Sequence, residues 1–296
     1  MDIRAILMGL AFAVMWSSAF TSARIIVASA PPLSALALRF LISGLIGVAI
    51  ARALGQSWRL TPLQWRATII FGLCQNALYL GLNFVAMQTI EASLAAIIAS
   101  TMPLLVGLAS WLFLSERIGR LGTAGLVAGV VGVSIIMGTR LQGGADLYGV
   151  ALCVVGVVAL TFATLSVRGA TSGGNFLMIV GLQMLVGSVA LGGVAAATES
   201  LDIAWSWTLV AAFLYTTLVP GLAATLVWFR LVHRIGAVKA ATFHFLNPFL
   251  GVAIAALILG ETLGLWDIVG VTIVTAGILA VQLSRQTRPA APASSG

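Results

Sequence analysis

Seven side chains able to hydrogen-bond, titrate or stack interrupt otherwise apolar runs of this sequence: Trp16, Arg39, Asn76, Tyr79, Asn83, His244 and Asn247. Asn76, Tyr79 and Asn83, with Gln75 beside them, recur at helical spacing and form one polar stripe. In lipid such a stripe must face protein or water, so it either glues helices together or lines a cavity. His244 and Asn247 are three residues apart, share a helix face and directly precede Pro248. Their notch is either an interhelical hydrogen bond or a second piece of cavity wall. Trp16, followed by Ser17 and Ser18, lies too deep in its run for an interfacial aromatic belt, whereas Trp58, Trp65, Trp111, Trp205, Trp207 and Trp266 fall at run ends, where a belt belongs. Arg39 either snorkels toward the outer surface or adds positive potential to an outward-opening cavity, where it would favour a carboxylate. These residue types bind rather than catalyse. No run holds a Ser–His or Ser–Lys pair, two aspartates or a histidine cluster, so neither an enzyme nor a metal or other cofactor is expected. Cys74 and Cys153 lack ligand spacing and read as small packing residues.

The elements that position these groups must be membrane helices. Of the 296 residues 60% are hydrophobic and 8% charged, with a mean hydropathy of +1.12; a soluble domain would need roughly a quarter of its residues charged. Runs of about 20 apolar residues span a bilayer. Ten occur, at 4–27, 33–54, 65–88, 92–114, 120–138, 147–168, 175–197, 206–231, 237–260 and 264–284, separated by turn chemistry such as Pro31-Pro32, Leu60-Thr61-Pro62, Gly143-Gly144 and Ser172-Gly173-Gly174. The first run is too long for a signal peptide and is expected to stay as an uncleaved span. With both termini in the cytoplasm, 12 of the 15 basic residues collect on the cytoplasmic side, leaving Arg24 and Arg140 opposite and Arg39 within a span. The net charge of +7 is thus a topology signal, and no nucleic-acid partner is implied.

The spans are also duplicated. Pro103, Glu116, Gly119, Gly125 and Gly132 recur 145 residues later as Pro248, Glu261, Gly264, Gly270 and Gly277. An odd number of spans per copy makes the second copy enter from the other side, so the expected fold is all-α and integral to the membrane, with ten helices in two inverted five-helix repeats. Residues 1–140 form the first repeat, 141–284 the second and 285–296 a disordered cytoplasmic tail. Inverted halves place a substrate near the midplane, where the stripe at Asn76 and Tyr79 meets the partner positions Gly221, Ala224 and Trp228 as a polar wall facing an apolar one. Pro103 and Pro248, about halfway along their spans, are the expected hinges or cavity-widening bends.

Ten spans, the inverted halves, the repeated Pro-x12-Glu pattern at Pro103–Glu116 and Pro248–Glu261, and the Trp16-Ser17-Ser18-Ala19-Phe20 stretch resemble the drug/metabolite transporter superfamily, EamA type. The overall texture is most similar to its bacterial YddG-type aromatic amino-acid exporters. That resemblance implies export of aromatic amino acids and related compounds, paraquat-like cations among them, from the inner membrane. A channel-like pore, or a permease for drugs or other metabolites, is the alternative. Partners are then a small-molecule substrate and the bilayer, with a single chain as the working unit. No acidic residue lies mid-span, so carboxylate-based ion coupling is not expected, and facilitated diffusion is the default unless His244 carries a proton.

Overall fold

The computed structural model describes residues 2–114, 119–166 and 175–286. Glu116, Arg117, Arg168, the Ser172–Gly174 break and the tail from residue 287 onward lie outside the described residues.

Among the described residues, ten helices are long and apolar enough to cross a membrane: α1 Ile3–Val27, α2 Pro32–Ala53, α3 Pro62–Ala86, α4 Ala92–Phe113, α5 Arg120–Gln142, α6 Leu147–Ser166, α7 Phe176–Thr198, α8 Trp207–Ile235, α9 Lys239–Leu259 and α10 Leu265–Ser284. Their limits follow local chemistry. Asp2 caps α1 by accepting from Ala5 N at 2.8 Å, and Thr61 with Gln64 forms a capping box ahead of Pro62. Ser206 caps α8, and Gly260 ends α9 in the left-handed region at φ 68°. Large apolar side chains such as Val130, Val189 and Leu257 point outward, as lipid requires and water would not tolerate.

Even helix number brings the start of α1 and the end of α10 to one face, here the terminal face; the other is the distal face. Neighbours obey a two-fold rule: α2 packs on α7, α5 on α10, α1 on α9 and α4 on α6. The contact between α5 and α10 makes the symmetry explicit. A Cβ placed on Gly125 would stand 2.6 Å from Gly277 O, and one on Gly132 would stand 2.8 Å from Gly270 O. The repeat anchors therefore meet crosswise, Gly125 with the copy of Gly132 and Gly132 with the copy of Gly125, which is what a two-fold axis between the halves demands. Glycine is needed because the backbones touch. Between α2 and α7, Gly44 and Gly181 do the same.

Four helices are interrupted, and the interruptions are symmetric. In α3 residues Gly72–Tyr79 form a π-helix, and in α8 Val219–Ala223 do. In α4 the helix breaks at Thr101 before Met102-Pro103, and in α9 a 3-10 turn, Thr242–Leu246, precedes Asn247-Pro248. Both segments still run the full width of a span, Ala92–Phe113 and Lys239–Leu259, with the break inside it. Each proline stands at the second position of a new helical stretch, where its missing N–H costs nothing.

The glycine contacts give a direct stability test. Gly125→Ala should lower the melting temperature in detergent, since overpacking costs about 1–3 kcal/mol. Gly138→Ala, with nothing within 4 Å of the added carbon, should leave it unchanged or raise it.

Candidate functional site

The four interrupted helices, with α1, α2, α6 and α7, line a cavity of about 330 Å³ in the terminal half of the bundle. It runs from Arg39 and Tyr79 down to Thr164 near the end of α6 and Phe176 at the start of α7. A smaller pocket of about 50 Å³ continues past Arg39 toward Met87 and the distal face.

One wall, from α3 and α7, is polar: Gln75, Asn76, Tyr79 and Gln183. The π-helix explains its composition. Extra residues in the turn shift the helical phase, so Gln75, off the expected stripe, reaches the cavity, while Asn83 turns away into the smaller pocket. Asn83 is tied there, donating to Tyr79 O at 2.7 Å and accepting from Cys153 Sγ at 3.3 Å. Asn76 lines the cavity but spends its amide on Gln183 O at 2.9 Å.

The other wall, from α1, α8 and α9, is aromatic. Phe12 stacks with Trp228 at 4.7 Å between centroids, and His244 stands edge-on to Phe12 at 5.2 Å and to Trp16 at 6.4 Å. Asn247 lies behind this wall. Its Nδ2 donates to His244 Nδ1 at 2.9 Å, which leaves the neutral imidazole proton on Nε2. Ser17 Oγ reaches Asn247 O and Oδ1, each at 3.4 Å, and Ser18 Oγ meets Tyr215 OH at 2.8 Å. The serines after Trp16 thus bind α1 to α9 and α8. Pro103 and Pro248 are buried and line neither part of the cavity.

Arg39 does not snorkel. It is 6% exposed, about 10 Å into α2 from the distal face, and its Nε donates to Thr216 O at 3.2 Å. That carbonyl is free because its helical donor would be the residue four positions on, Pro220, which has no N–H. Pro220, not among the sequence candidates, was signalled by the Pro-Gly pair in the middle of the eighth span. Arg39 lines both the larger cavity on the terminal side and the smaller pocket that continues toward the distal face.

The distal face is closed by carboxylates. Glu261 accepts from Ala92 N at 2.8 Å and Ser93 N at 3.0 Å, pinning the α9–α10 turn to the start of α4. Glu199 does the same for Leu33 N and Ser34 N, both at 2.8 Å, at the start of α2. Both anions sit at helix N-termini, where the dipole favours them. Arg140 bridges Glu91 and Asp267, and Arg24 donates to Met87 O. Asp146, whose carboxyl is held below its usual range by the Thr89 hydroxyl and by Tyr148 and Gly149 N–H, joins α6 to the turn after α3.

A cavity between two inverted halves, with the opposite face pinned shut by carboxylates, is the arrangement of a membrane transporter. The family model of the EamA-like transporter family matches residues 3–138 and again 147–283, and the chain belongs to that family. It is 28% identical over 279 residues to the uncharacterized transporter YvbV of Bacillus subtilis (strain 168), covering 94% of this chain and 91% of that one. It is 27% identical over 293 residues to the uncharacterized inner membrane transporter YedA of Escherichia coli (strain K12), covering 94% and 90%. Protein PecM of Dickeya dadantii (strain 3937) is 25% identical over 273 residues, with 89% and 86% covered. A solved crystal structure, 20% identical, superposes with a TM-score of 0.69 over 98% of this chain and 100% of that one, a likeness of fold.

The distal clamp can be loosened without changing side-chain shape. Glu261→Gln removes the charge and one acceptor, and a hydrogen bond to a charged group contributes about 1.5–3 kcal/mol. Labelling of Ser93→Cys by a membrane-impermeant maleimide, in a background lacking Cys74 and Cys153, should accelerate severalfold; an unchanged rate would show that the clamp does not hold this face shut.

Proposed function

We propose that the protein exports small amphipathic metabolites, aromatic amino acids and their relatives foremost, across the inner membrane by alternating access around the central cavity. The observation carrying this reading is the pairing of an aromatic wall with a polar wall in one space of about 330 Å³, matched to a molecule with a flat apolar body and a hydrogen-bonding head. The substrate preference follows the resemblance to the YddG-type branch, and the location follows the name of the inner membrane relative YedA. The arginine-rich terminal face is the cytoplasmic one by the positive-inside rule, so the shape described is the inward-facing state. Trp16, Asn76, Tyr79, Trp228 and His244 hold substrate. Asn247 orients His244 from behind, Asn83 ties α3 to Cys153 of α6 beside the cavity, and Pro103 and Pro248 mark the hinges.

Saturable counterflow of labelled amino acids in liposomes tests the reading, and flux that rises linearly without trans-stimulation would replace the carrier with a pore. Trp16→Ala and Trp228→Ala should each weaken apparent affinity about 3- to 10-fold, the worth of one aromatic pair, with membrane insertion intact. Pro103→Ala and Pro248→Ala should slow turnover more than they weaken affinity. A carrier harvests an ion gradient only through differential binding of that ion in its two states, and His244 is the titratable group available. Facilitated diffusion predicts no uphill accumulation under an imposed pH gradient, whereas accumulation abolished by His244→Ala would establish proton antiport through that histidine.

A further inference from the structure

Arg39 is a buried cation without a counter-ion. No acidic side chain is among the described residues lining either part of the cavity, and the guanidinium makes one hydrogen bond, through Nε. Phe40 contributes its ring face at 5.1 Å, which softens the charge without neutralising it. Burying an ion unpaired is expensive, and such groups inside membranes are kept for function. The unused edge of the guanidinium borders open space. Gly221 supplies that space: a Cβ there would lie 3.5 Å from Nη2 and 3.1 Å from Thr216 O.

The Thr216 carbonyl fixes the orientation. By engaging Nε it leaves Nη1 and Nη2 for a ligand, and these two donors match the two oxygens of a carboxylate. We propose that the substrate of this cavity is an organic carboxylate, zwitterionic or anionic, docked on Nη1 and Nη2 of Arg39 with its apolar body against Trp16 and Trp228. This rests on the transporter reading and narrows it, because it excludes cationic amines, including the paraquat-like cations that the family resemblance implies. A cation entering the cavity meets a fixed positive charge and no compensating carboxylate. An anion supplies the missing counter-charge, so binding relieves a cost that the empty protein bears.

The test uses purified full-length protein in nanodiscs, with quenching of intrinsic tryptophan fluorescence as the binding signal. Three head groups are compared on one aromatic body: phenylacetate, L-phenylalanine and phenethylamine. The same comparison is made on a branched aliphatic body with isovalerate, leucine and isoamylamine. The carboxylates should bind about 10- to 100-fold more tightly than the matching amine, and Arg39→Gln should erase that difference by weakening the carboxylates alone. The melting temperature of ligand-free Arg39→Gln protein should match or exceed that of the wild type, since a costly charge is gone. Preference for carboxylates on the aliphatic body alone would uphold the inference while removing the aromatic preference proposed above. Equal binding of amine and carboxylate on both bodies, or no binding of either, would overturn it. So would an Arg39→Gln protein that melts earlier and loses all ligands alike, which would make Arg39 a structural pin for α8. Tighter binding of phenyl phosphate than of phenylacetate would assign the guanidinium to phosphate esters and equally overturn the carboxylate assignment.

Discussion

Hydrocarbon offers no hydrogen bonds, so every backbone group released from a helix must find a partner inside the protein. The centre of this molecule follows from one such release. Pro220 cannot donate to Thr216 O. The carbonyl takes Arg39 Nε instead, and the neighbouring Thr217 O takes Ser43 Oγ at 3.3 Å. Two side chains of α2 are thereby fastened to α8 at the level where its helix widens to a π turn. A broken ladder in one helix thus orients the only arginine that lines the cavity among the described residues, and it also leaves both terminal nitrogens of that arginine free for a ligand.

The second constraint is the close approach of the halves. Glycine contacts, crosswise between α5 and α10 and at Gly44–Gly181 between α2 and α7, let backbones touch on the two flanks of the bundle. Without a hydrophobic force between helices in lipid, this contact supplies van der Waals cohesion that larger side chains would forbid. The cavity lies between these flanks, where helices are interrupted rather than tightly apposed. Cohesion at the sides and irregular backbone at the centre are therefore complementary: the former holds the frame that the latter would weaken.

Much of the frame was readable from the sequence. Ten apolar runs separated by turn residues, and five matched positions at one offset, were enough for the inverted ten-helix fold, because both signals are local or periodic. The aromatic and polar residues named from the sequence do lie at or beside one cavity, since a polar group in an apolar run has few other places to go. The π segments were not readable. They depend on which tertiary partner accepts a displaced backbone group, and they explain why Gln75 enters the wall and Asn83 leaves it. The clamps made by Glu199 and Glu261 were equally hidden. Their partners are backbone N–H groups, identical at every residue, and nothing in the sequence ties Glu261 to Ala92.

Comparing the halves separates what duplication preserved from what it abandoned. The backbone devices are kept: a π turn in α3 and α8, and a break before proline in α4 and α9. The side chains those devices present are not. Gln75 and Asn76 correspond to Pro220 and Gly221, and Arg39 corresponds approximately to Gln183, yet all six line the same cavity. A symmetric backbone lets either half bend as the other does, which is what the proposed alternating access requires. An asymmetric lining would give the proposed substrate one orientation, head toward Arg39 and body toward the aromatics that α1, α8 and α9 bring together. Had the side chains stayed symmetric, the cavity would hold a second cation opposite the first, and a single carboxylate could not neutralise both.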